Sequence, residues 1–127
     1  MKLEYLTQIN AYNDSLIRLY DFDVVQAAKL QTQISQKIIH NKIELDLSQL
    51  DFIESINCNL VFRLTDRDLG ISTKDSHVFF CDLTLKRFEE MILIIEPFTK
   101  ETKNGHSNWL YDLNIPIELL FSADGEW

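Results

Sequence analysis

The chain has 127 residues and a formal net charge of −8, from 12 Lys and Arg against 20 Asp and Glu. A hydrophobic fraction of 46%, a charged fraction of 25%, three glycines and two prolines exclude a low-complexity or linker-like chain. The acidic excess argues against nucleic acid and anionic membrane as partners, and leaves a basic protein surface as the complementary one.

Residues 2–9 alternate weakly and predict a first strand, followed by a turn over 10–15 rich in Asn, Asp and Ser. Residues 16–22 predict a second strand. Asp23 then has the position of a helix N-cap, and Gln26 three residues on completes a capping box. The helix runs to about Ile39, with Val24, Ala27, Ala28, Leu30, Ile34 and Ile38 as its apolar stripe. His40 and Asn41 end it. Residues 43–47 alternate cleanly, Ile43, Leu45 and Leu47 one way and Glu44 and Asp46 the other, which predicts a half-buried strand.

A stronger strand is expected over 56–64, with Ile56, Cys58, Leu60, Phe62 and Leu64 on one face and Asn57, Asn59, Val61 and Arg63 on the other. The polar run 65–76 reads as a connector, and 77–83 as the next strand. Paired as an antiparallel hairpin with residue numbers summing to 141, Phe62 faces Phe79, Leu60 faces Cys81 and Cys58 faces Leu83. That register sets Asn59 against Asp82 and Arg63 against Val78. Thr84 caps a second helix over 85–96, whose apolar face is Phe88, Met91, Ile92 and Ile95, and Pro97 stops or kinks it. Residues 99–108 form a polar loop, and strands are expected at Trp109–Leu113 and over 117–121.

This order predicts a single α+β domain over 1–127: a mostly antiparallel sheet of five to six strands with two amphipathic helices on one face. With the first strand set aside, strand-helix-strand-strand-helix-strand resembles the split βαβ plan. No apolar run reaches the roughly 18 residues of a membrane span, and the opening MKLEYLTQIN lacks the apolar core of a secretory signal, so a cytoplasmic protein is expected.

Few residues carry recognisable chemistry. Cys58 and Cys81 fall in apolar alternation and read as small core residues. Neither has the setting a nucleophilic thiolate needs, and with His77 they lack zinc-ligand spacing. The Asp-x-Asp pairs are Asp21 with Asp23 and Asp66 with Asp68. Asp23 is accounted for as a cap. The segment from Asp66 misplaces the glycine of a calcium loop and lacks its closing Glu. No phosphate-cradling glycine loop is present. No catalytic residue, cofactor or metal is therefore expected.

The charge has a clearer pattern. Residues 43–62 hold four acids and no base, and residues 105–127 again hold four acids and no base. The tail also gathers Trp109, Tyr111, Phe121 and Trp127, residue types common in interface cores. The leading expectation is a non-enzymatic, acidic protein-binding domain that neutralises a basic partner, such as a bacterial immunity protein that inhibits a toxic nuclease domain. The contact residues expected are Glu44, Asp46, Asp51, Glu54, Asp66, Asp68 and Trp127. An alternative is a small-molecule or catalytic site on the sheet around Asn57, Asn59, Arg63, His77 and Asp82. A third is self-association, as a homodimer, through Val61, Val78 and Phe80.

Overall fold

The computed structural model describes residues 1–7, 14–101 and 106–125, so Trp127 and most of the 10–15 turn lie outside the described residues. Among these the strands are β1 (Lys2–Leu6), β2 (Ser15–Tyr20), β3 (Leu45–Asp46), β4 (Glu54–Ser55), β5 (Asn59–Leu64), β6 (Gly70–Thr73), β7 (Val78–Leu83), β8 (Ser107–Trp109) and β9 (Ile117–Ser122). The helices are α1 (Val24–Gln33), which continues as a wider π-helical coil over Ile34–His40, and α2 (Leu85–Ile95), which tightens into a 3₁₀ turn over Glu96–Thr99. No helix among the described residues is long and apolar enough to cross a membrane.

Both helix starts follow from their caps. The Asp23 carboxylate accepts from the Gln26 amide N–H at 2.8 Å, and the Gln26 side chain accepts from the Asp23 N–H at 3.3 Å, which closes the expected capping box. Thr84 caps α2 through the Arg87 N–H. Ala27, Leu30, Ile34 and Ile38 form the buried stripe of the first helix, and Phe88, Met91 and Ile95 that of the second. Pro97 cannot donate to the α-helical ladder, and the last turn is 3₁₀.

The α+β class holds, but the strands form two mixed sheets rather than one mostly antiparallel sheet. Among the described residues the first sheet has the order β4-β1-β2-β9-β8 and the second β3-β5-β7-β6. The β1–β2, β3–β5, β6–β7 and β8–β9 pairs are antiparallel, whereas β1–β4, β2–β9 and β5–β7 are parallel. The split βαβ plan, a one-sheet arrangement, is not followed.

The expected hairpin is also corrected. β5 and β7 run parallel, with Asn59 beside Val78, Leu60 beside Phe79, Phe62 beside Cys81 and Arg63 beside Asp82. The hairpin partner of β7 is β6, which lies inside the supposed connector and pairs Ile71 with Cys81. Either register keeps the same residues on the core face, because alternation fixes the face and not the direction. The strand expected over 43–47 shortens to two residues: the Asp46 carboxylate accepts from the Ser48 N–H at 2.9 Å and starts a 3₁₀ turn over Leu47–Gln49. Ile43 is exposed instead of buried.

One apolar core joins both sheets and both helices. Leu3, Ile17, Leu19, Leu119 and Phe121 reach it from the first sheet, and Leu60, Phe62, Phe79 and Cys81 from the second, with the helix stripes. Aromatic rings mark the junctions. Phe121 stacks on Phe22 at 4.2 Å and meets Phe98 edge-on at 4.8 Å, while Tyr5 of β1 meets Phe79 of β7 at 4.6 Å.

Candidate partner-binding face

The second sheet turns Leu60, Phe62, Phe79 and Cys81 to the core, so the alternate residues form its other face. Register then builds that face row by row. Arg63 stands beside Asp82, which stands opposite Gly70; Asp46 stands opposite Val61, which stands beside Phe80, opposite Ser72. Asn59 and Val78 form the next row. Glu44, one residue before the β3 pairing, belongs with Arg63.

The Arg63–Asp82 pair is a two-pronged fork. Nε donates to Oδ1 at 2.6 Å and an Nη to Oδ2 at 2.7 Å, and the guanidinium lies 4.1 Å from the Phe80 ring centroid. These hydrogen bonds raise the Arg63 pKa against the opposing effect of burial, and the charges of Asp82 and Glu44 add to the rise. Beside them, Asn59 donates its amide to Asp46 at 2.8 Å. Burial disfavours the Asp46 carboxylate, but the hydrogen bonds from Asn59 and Ser48 outweigh it and hold its carboxyl below the usual range. Asp46 is therefore a fixed anion, and Glu44 is an exposed one. Val61 is buried and Phe80 half-buried under Arg63, so the apolar centre is small and partly covered by its own neighbours.

The remaining expected contact acids separate. Asp51 is exposed in the turn after the 3₁₀ segment, and Glu54 is exposed on β4, beside Lys2 at the edge of the other sheet. Asp66 is exposed beyond β5. Asp68 accepts from the Thr84 N–H at 2.8 Å and pairs with Arg87 at 3.2 Å, so it serves the start of α2. Trp127 lies outside the described residues. In the tail, Tyr111 and Phe121 are core and Trp109 is exposed.

The polar cluster weighed for a small-molecule site also divides. Asn57 uses its amide to bond the N–H and C=O of Tyr5, extending the edge of β1, and His77 is exposed in the β6–β7 turn. Cys58 is buried and its thiol is pushed up to about 11; burial also raises that of Cys81, so both are neutral thiols near pH 7. Among the described residues, no three His, Cys, Asp or Glu side chains converge as metal ligands.

Sequence reasoning saw the residues of this face and missed their order. The opposite charges of Arg63 and Asp82 signal that the two residues pair, but an antiparallel register summing to 145 pairs them as well as the parallel one, so they do not give the direction. Compared with known proteins, the chain matches no protein-family model and no curated relative.

Proposed function

We propose that the chain is an acidic protein-binding domain that covers a positively charged surface of a partner, in the manner of an immunity protein that blocks a toxic nuclease domain. The observation that carries this reading is the second sheet's outer face, where exposed Glu44 and hydrogen-bonded Asp46 stand at the β3 edge, across β5 from Phe80, within a segment that has acids and no base. A preset carboxylate at the edge of a sheet face suits an Arg- or Lys-rich surface, which it attracts at long range and contacts at short range. Glu44 is the better probe, because Asp46 also holds the following turn together.

The test is capture of partners by the full chain from its native lysate at low and high salt, read by mass spectrometry. One stoichiometric basic protein, held at low salt and weakened at high salt, is expected, with markedly less retained by Glu44→Lys. No partner at either salt would sink the reading.

A further inference from the structure

A cleft of about 790 Å³ lies between α1 and the turn after the 3₁₀ segment. Val24, Val25, Ala28, Leu50 and Phe52 give it apolar walls, Lys29 lines one side and Asp51 the other. Each side belongs to a segment of one sign. Residues 24–42 hold three lysines and no acid, whereas residues 43–62 hold four acids and no base. Among the described residues neither Lys29 nor Asp51 makes an ion pair; the Lys29 ammonium lies 5.8 Å from the Phe52 ring centroid.

Val25, Ala28, Lys29 and Thr32 recur at i, i+3, i+4 and i+7, the spacing at which helices pack. Val25 is 57% exposed, and Ala28 is small enough to admit a close neighbour.

We infer that this cleft is a self-complementary interface for a second copy of the chain. A two-fold axis brings each surface patch against itself reversed, so a residue i that meets j is matched by j meeting i. A patch with a basic strip, an apolar floor and an acidic strip satisfies that rotation. Val25 of each copy enters the apolar wall of the other, and Lys29 of each meets Asp51 of the other. A basic partner would instead be repelled by Lys29, and an acidic one by Asp51. The net charge of −8 on each copy opposes association only over a short range, because at physiological salt the screening length is about 8 Å. The local pairing of signs then decides.

This inference is independent of the partner reading, because the cleft is lined by residues of α1 and 49–52 rather than by Glu44 and Asp46, and needs no other protein. The test is the mass of the purified full chain by sedimentation velocity at about 0.15 M salt, over a concentration series, with circular dichroism as the check on folding. The wild type is expected to reach twice 14.9 kDa. Lys29→Glu and Asp51→Lys are each expected to be monomeric at concentrations where the wild type is dimeric. The double variant Lys29→Glu with Asp51→Lys is expected to dimerise again, since both residues are exposed and the reversal restores the opposite signs. Three results would overturn the inference: a wild type that stays monomeric throughout, single variants that dimerise like the wild type, or a double variant that fails to recover.

Discussion

Several carboxylates in this chain act as acceptors that hold the backbone in place. Asp46 starts the 3₁₀ turn, Asp75 accepts the His77 and Val78 amides in the β6–β7 turn, and Asp68 accepts the Thr84 amide at the start of α2. For Asp68, burial disfavours the charge, but the Thr84 and Arg87 hydrogen bonds outweigh it and hold the carboxyl below its ordinary value. Such a group binds its proton more weakly folded than unfolded. Its stabilisation is complete above the ordinary carboxylate pKa, about 4, and is lost as pH falls through the lower folded value. Asp68→Asn should therefore melt below the wild type at pH 7, with the gap closing as pH falls below about 4. Thermal melts across that range check this; a constant gap would mean that Asp68 acts without its charge.

At the scale of elements, local chemistry decides where segments begin and end. The two hydrogen bonds of the Asp23–Gln26 box leave fewer unpaired amides at the start of α1. Asp23→Ala removes the acceptor and should cost about 1 kcal/mol of unfolding free energy in urea titrations. An unchanged midpoint would show that packing alone sets the helix start. These were the parts most legible in the sequence, because a cap, an apolar spacing and a proline each act over a few residues. β6 was not legible: Gly70, Ser72 and Thr73 read as connector, and only its pairing with β7 makes a strand of it. The direction of β7 was hidden for a related reason, since parallel and antiparallel pairing bury the same alternate side chains. The candidate face inherited that gap. Its residues were in view, but which of them stand side by side depends on the register and direction of β7.

At the scale of the whole molecule, stability rests on side chains that belong to several elements at once. Phe121 is fully buried, stacks on Phe22 from the entry to α1 and meets Phe98 from the turn after α2. Phe121→Ala opens a cavity at that junction and should cost about 3–5 kcal/mol. Against a total of about 5–15 kcal/mol, that is a large share of the stability. Denaturant unfolding measures it; a loss below about 1 kcal/mol would show that the junction repacks around the gap. The division into two sheets was invisible in the sequence for the same reason of scale. Alternation marks the buried face of a strand, but not which distant strand lies beside it.

The parallel pairing of β2 with β9 joins Ser15 to Ile117 and Tyr20 to Ser122 across most of the chain. As the protein is synthesised, β1 and β2 can meet early, but the strand that lies between β2 and β8 is made much later. Until Ile117–Ser122 has left the ribosome, β2 has an open edge and the apolar side chains of the first sheet lack Phe121 and Leu119 as neighbours. Closing contacts so far apart in sequence is slow. The newly made chain therefore passes through an interval with an unpaired strand edge, in which its excess of negative charge works against edge-to-edge pairing of incomplete chains.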